Sequence, residues 1–133
     1  LIEVSPEIRL PRTYARFAGL MVQLLQKLSV KASGDPAGKK LLKVVKNPVT
    51  KYLPANVRRI VCTPTAPRLE NIHTFVDELP EATSAVFVIG AYAKGKLDVT
   101  YGDEELCISN YHLSGGIVCS KVADAFENKW NVL

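Results

Sequence analysis

The five residues Ala85-Val86-Phe87-Val88-Ile89 are apolar without alternation, and this run limits the fold more than any other stretch of the chain. A strand with one wet face alternates polar and apolar side chains, whereas a strand of a parallel sheet covered on both faces reads as an unbroken hydrophobic run. Helical patterns flank it. From Tyr14 the apolar positions Tyr14, Phe17, Ala18, Met21, Leu24, Leu25 and Leu28 keep the i, i+3, i+4, i+7 rhythm of an amphipathic helix, which Gly34-Asp35-Pro36 is expected to end. From Ser114 a second helix is expected, with Cys119, Ala123, Phe126 and Trp130 on its apolar side and Val118 and Val122 beside them. Residues 1–4, 41–46, 58–62 and 106–109 read as further strands, the first of them buried, and residues 69–79 as a short helix. Strands alternating with helices indicate the α/β class. With 133 residues, 47% of them apolar, one core is expected, and no repeat, low-complexity tract or domain-separating linker interrupts it.

Several classes are excluded early. No apolar run approaches the roughly 20 residues of a membrane-spanning helix. The three cysteines, Cys62, Cys107 and Cys119, contain no C-x-x-C pair, and His73 and His112 lie far apart, so neither a disulfide framework nor a structural zinc site fits and no metal is expected. The chain opens at Leu1-Ile2-Glu3-Val4 with neither an initiator methionine nor a cleavable leader pattern, and reads as a fragment that begins inside a strand.

Charge separates along the chain. Residues 1–68 hold all six arginines and carry a net +10, while residues 69–133 carry −6. Such asymmetry points to a basic surface that meets a polyanion, most often nucleic acid. For Lys39, Lys40 and Lys43, solubility and RNA contact both remain open. Arg9, Arg12 and Arg16 are more specific: on a helix Arg12 and Arg16 sit about 40° apart, opposite the apolar face, and Gln23 and Lys27 extend the stripe. A solvated helix face usually mixes both signs, and this one has no interleaved acids, which favours contact with RNA or phosphate.

Two loops have the makings of a ligand site. Gly90-Ala91-Tyr92-Ala93-Lys94-Gly95-Lys96-Leu97 has the spacing of a phosphate-binding loop, but Leu97 stands where Ser or Thr should hold magnesium, and no helical pattern follows. What survives is a glycine-bounded loop at the carboxyl end of a strand, the usual ligand position in an open α/β sheet. Residues 108–116 run from a strand through a polar turn into a helix, with Ser114 as N-cap and Gly115-Gly116 allowing close backbone approach. Two such loops after separate strands can enclose one ligand.

Together, Leu1-Ile2-Glu3-Val4, Arg9-Leu10-Pro11-Arg12-Thr13-Tyr14-x-Arg16-Phe17, Gly19-Leu20-Met21-Val22-Gln23-Leu24-Leu25, Leu41-Leu42-Lys43-Val44-Val45-Lys46-Asn47-Pro48, Gly90-Ala91-x-Ala93-x-Gly95-Lys96 and Ser109-Asn110-Tyr111-x-Leu113-Ser114 resemble the nucleolar essential protein family. The resemblance runs to the closing Trp130-Asn131-Val132-Leu133. It implies a SPOUT-type parallel-sheet α/β fold with a C-terminal trefoil knot, of which residues 1–133 are the C-terminal portion of a single domain. It also implies S-adenosyl-L-methionine in the knot loops, a homodimer, and methylation of N1 of a pseudouridine in small-subunit ribosomal RNA during ribosome biogenesis in the nucleolus, alongside pre-ribosomal assembly factors. The implied cofactor residues are Cys62, Thr63, Gly90, Ala91, Gly95, Ile108, Ser109, Asn110, Tyr111, His112 and Leu113, and the implied RNA-binding residues are Arg9, Arg12 and Arg16. His112 departs from the family's usual proline, and Gly115-Gly116 from its more helix-friendly small residues. The family's N-terminal half, with groups near the target base, is not in this sequence, so catalytic residues stay unassigned. The competing reading is a non-catalytic RNA-binding assembly factor that uses the same basic face.

Overall fold

The computed structural model describes residues 1–34, 38–92, 95 and 97–132. The chain divides into two compact units, residues 1–52 and 53–133.

The first unit contains β1 (Ile2–Val4), α1 (Tyr14–Lys27), β2 (Ser29–Lys31), β3 (Lys40–Val44) and a single 3-10 turn, Val49–Lys51. Its sheet has the order β1-β3-β2 and is antiparallel throughout, so the parallel pairing expected from the sequence is confined to the second unit. Strands β2 and β3 are joined directly by residues 32–39, and so short a connection permits only antiparallel pairing. Helix α1 stops earlier than its periodicity suggests. Leu28 adopts φ 57°, its N–H reaches Leu24 O at 2.7 Å, and the chain enters β2 at once, well before Gly34. Asp35 and Pro36, the rest of the expected stop, lie outside the described residues. The physical reason is Val30: as a β-branched residue opposite Leu42 it buries its side chain against Leu24, a contact that a continued helix would forfeit. Strand β1 forms where expected but is exposed rather than buried, with Ile2 and Val4 each about half accessible, because it pairs along one edge only.

The second unit contains β4 (Arg58–Cys62), α2 (Ile72–Asp77), β5 (Ala85–Ile89), β6 (Glu104–Leu106) and α3 (Gly115–Lys129). Its sheet is parallel, order β5-β4-β6, with Ile60 opposite both Phe87 and Glu104. Helices α2 and α3 pack together, and Ile60, Phe75, Val76, Leu106, Val122 and Ala125 form the centre of the core. Asn71 Oδ1 caps α2 through His73 N–H (2.8 Å), and Ser114 Oγ caps α3 through Ile117 N–H (3.3 Å). Lys129, on the last turn of α3, donates to the carbonyls of Val76 (2.8 Å) and Leu79 at the end of α2, where a cation is favoured by the helix dipole.

Three details differ from the sequence pattern. Every residue of β5 is half-buried, because only its Ala85, Phe87 and Ile89 side meets the core. The inward face of α3 is Val118, Val122, Ala125 and Phe126, and Cys119, Ala123 and Trp130 are exposed: the helix has more apolar surface than the sheet can cover. Strand β6 spans Glu104–Leu106 instead of the expected 106–109, since Arg58 on the neighbouring strand neutralises the Glu104 carboxylate and lets it enter the sheet.

Candidate functional site

Parallel pairing brings the carboxyl ends of β4 and β6 side by side, and the chain leaves both at the same end of the sheet. Cys62 is the last residue of β4 and Leu106 the last of β6; Thr63 N–H donates to Leu106 O at 3.1 Å, extending the ladder by one bond. Beyond that bond the two chains part, and an open pocket lies between them. Its walls are Cys62, Thr63 and Pro64 from the first chain, Leu106, Cys107, Ile108, Ser109, Tyr111 and Leu113 from the second, and Val118 from α3.

Local bonds hold the second wall in shape. Cys107 N–H donates to Arg68 O (2.8 Å), Glu70 N–H to Cys107 O (2.9 Å), and the Cys107 thiol to Ser109 O (3.1 Å). Ser109 Oγ accepts from Tyr111 N–H at 3.1 Å, turning the chain so that the Tyr111 ring stands at the rim, 80% exposed. Burial pushes the Cys62 thiol up to about 11, with Cys119 adding to the shift, so Cys62 is a neutral apolar wall and not a nucleophile.

Of the expected cofactor residues, Cys62, Thr63, Ile108, Ser109, Tyr111 and Leu113 line this pocket, whereas Asn110 and His112 are exposed and do not. Gly90 and Ala91, after β5, are also outside its lining, but they lie against the start of α3: a Cβ on Gly115 would come within 2.7 Å of Gly90 O and 3.4 Å of Ala91 Cα. Gly115 is therefore required by a backbone-to-backbone approach. Gly95 has φ +113° with open space around it. Ala93, Lys94 and Lys96 of the same loop lie outside the described residues. Residues 97–103 form no helix, so the phosphate-loop spacing lacks the helix N-terminus its chemistry needs. Pro64, Leu106, Cys107 and Val118 were not anticipated. Leu106 and Val118 carry only an apolar core signal in the sequence, and nothing local distinguishes a core position from a pocket wall.

Arg9, Arg12 and Arg16 lie in the first unit, all exposed, and make no ion pair among the described residues; α1 begins only at Tyr14, after the extended Thr13 cap, so Arg12 precedes the helix and does not share a helix face with Arg16 as its spacing suggested. The arginines of the second unit are all paired. Arg58 grips Glu104 through Nε and Nη2 (2.9 Å for the latter), Arg59 grips Asp103 (2.7 and 3.1 Å), and Arg68 lies 2.6 Å from Glu70, though Glu70 Oε2 makes no aligned hydrogen bond. The Glu104 hydrogen bond raises the Arg58 pKa, and the guanidinium of Arg59 holds Asp103 below the usual carboxylate range.

This is an α/β protein with an apolar-walled pocket at the carboxyl ends of parallel strands, bordered by the start of a glycine-led helix, and with three exposed arginines near its amino terminus that have no acidic partner among the described residues. The EMG1/NEP1 methyltransferase family matches residues 1–127, and the chain belongs to that family. It is 47% identical over 133 residues to the mouse ribosomal RNA small subunit methyltransferase NEP1 and 45% identical to the human protein of the same description, covering all of this chain and 52% of each relative. The chain thus spans about half the length of the curated relatives it matches. Its fold is similar to that of Archaeoglobus fulgidus Nep1, crystallised with S-adenosylhomocysteine, with a TM-score of 0.77 at 21% identity over 98% of this chain and 57% of that one.

Proposed function

We propose that this chain carries the cofactor pocket and an RNA-holding face of an S-adenosylmethionine-dependent methyltransferase that modifies N1 of a pseudouridine in small-subunit ribosomal RNA. The observation that carries this reading is that six residues marked by the family resemblance, separated by some 45 positions in the chain, line a single pocket. Family membership and the relatives' descriptions as small-subunit ribosomal RNA methyltransferases support the activity, and the S-adenosylhomocysteine bound to the archaeal relative supports the cofactor.

The pocket's chemistry suits such a ligand. Leu106, Ile108, Leu113 and Val118 offer apolar walls to an adenine ring, while Thr63, Ser109 and the loop's main-chain groups offer polar contacts. S-adenosylmethionine held by these residues would supply an electrophilic sulfonium methyl group for N1 of the pseudouridine. The chain's own contribution is to hold and align: the pocket orients the ligand, and Arg9, Arg12 and Arg16 bind RNA phosphates. Gly90, Ala91, Gly95, Asn110 and His112 belong to the same site in this reading, closing on the ligand from the β5 side and from the rim.

The two units form the C-terminal portion of one SPOUT domain, with a trefoil knot toward its C-terminal end. Supporting the knot, the segment entering α3 presses backbone to backbone on Gly90, and Gly102 crosses so close to β4 that a Cβ there would meet Val61 Cγ2 at 2.3 Å. A homodimer working with pre-ribosomal assembly factors in the nucleolus completes the proposal. The test is transfer of labelled methyl from S-adenosylmethionine by the intact protein to RNA containing pseudouridine, with the uridine counterpart as control. Transfer to pseudouridine alone is the expected result; RNA binding without transfer would leave a non-catalytic assembly factor.

A further inference from the structure

We propose that Glu104, which lies outside the pocket, is a positioning residue that holds the pocket's second wall in its binding shape through a three-way clamp with Arg58 and Arg68; the proposal rests on the cofactor reading above. Strand β6 is three residues long and, among the described residues, is hydrogen-bonded only to β4. So short an edge strand has few ladder bonds to define its position. The Glu104 side chain adds what the ladder lacks. It takes the fork of Arg58 from the central strand, and Arg68 Nη1 reaches its Oε2 at 3.5 Å from the connection between β4 and α2.

Arg68 is bound to the same wall a second time, through its carbonyl, which accepts from Cys107 N–H. The clamp therefore grips the chain on both sides of Leu106, and both Leu106 and Cys107 line the pocket. Both guanidiniums lie over the ring of Phe75, 5.3 Å from its centre, and Phe75 is 2% exposed, so the arginines are anchored on the core. A neutral residue at 104 would leave Arg58 over the ring without its carboxylate and Arg68 paired with Glu70 alone, and the wall would lose its side-chain tie to the connection. Asp103 is the internal control. It binds Arg59 with the same bidentate chemistry one residue earlier, but it touches neither Arg68 nor the pocket wall.

The experiment uses the intact protein and measures S-adenosylhomocysteine affinity by calorimetry, at a temperature well below every Tm, for wild type, Glu104→Gln, Arg58→Lys and Asp103→Asn. Glu104→Gln and Arg58→Lys are expected to weaken binding about tenfold, with kcat at saturating cofactor within about twofold of wild type, while Asp103→Asn binds as wild type. Arg58→Lys retains the charge but not the fork, so it tests the clamp should Glu104→Gln fold poorly. Wild-type affinity in Glu104→Gln or Arg58→Lys, or equal weakening in Asp103→Asn, would overturn the clamp and leave the cofactor reading standing. A wild-type protein that bound no S-adenosylhomocysteine would overturn both.

Discussion

The six arginines fall into two groups that the chain treats in opposite ways. Among the described residues Arg9, Arg12 and Arg16 stand exposed and without acidic partners, whereas Arg58, Arg59 and Arg68 are each paired with a carboxylate, and two of them lie over a buried aromatic ring. The cores differ in parallel: the first unit buries a small cluster of Leu24, Val30 and Leu42, the second an extended one around Phe75. Unpaired charge is available to a polyanion, and paired charge is committed to shape. The first unit presents exposed charge, and the second forms the pocket.

The largest effect expected from this contrast is on RNA. Replacing Arg9, Arg12 and Arg16 together with alanine should weaken RNA binding on the order of a hundredfold and lower the salt slope by roughly two, because fewer counterions are released. Thermal stability should hardly move, since exposed charges contribute at most about 1 kcal/mol. An unchanged salt slope in fluorescence anisotropy titrations would break the comparison on the first side.

The second side is tested by adjacent glycines. Alanine is the better helix former by up to about 1 kcal/mol, and Gly116 has open space where its Cβ would go, so Gly116→Ala should stabilise by about that amount. Gly115→Ala should instead destabilise by about 1–3 kcal/mol, because its Cβ meets the Gly90 carbonyl. Urea denaturation of the two variants reads the opposite signs directly. A smaller loss, about 1 kcal/mol in the same assay, is expected for Lys129→Met, which strips the cation from the end of α2.

The smallest effect concerns pH. Asp103 is depressed by Arg59, so its contribution to stability is complete above the ordinary aspartate value of about 3.9 and is lost as the pH falls below it. The difference in Tm between wild type and Asp103→Asn should therefore be present at pH 7 and shrink steadily below pH 4. A constant difference would mean that the ion pair carries no stability of its own.

Much of this protein was legible before folding. Apolar periodicity located α1 and α3, an unbroken apolar run located β5, the strand pattern of residues 58–62 located β4, and Ser114 was identifiable as a cap from its place before the helix. The errors have a common cause. Ending α1 at Leu28 depends on Val30 meeting Leu42, and the place of Glu104 in a strand depends on Arg58, 46 positions away. Local pattern carries neither partner. The pocket was half visible for the same reason: its polar loop stands out as a turn, but Leu106 and Val118 look like any core residues until the helix and sheet are packed.

The sequence by itself determined the α/β class, the helix faces to within one strip of residues, the concentration of positive charge in the first half, and the family. These are properties of spacing and composition, which act within a few residues or are summed over many. The tertiary structure decided that one sheet is antiparallel and the other parallel, that Cys119 and Trp130 stay in water, and which arginines are left without partners. Those outcomes depend on pairings between residues tens of positions apart. A charge or an apolar side chain shows no sign in the sequence of whether the folded chain will bring it a neighbour.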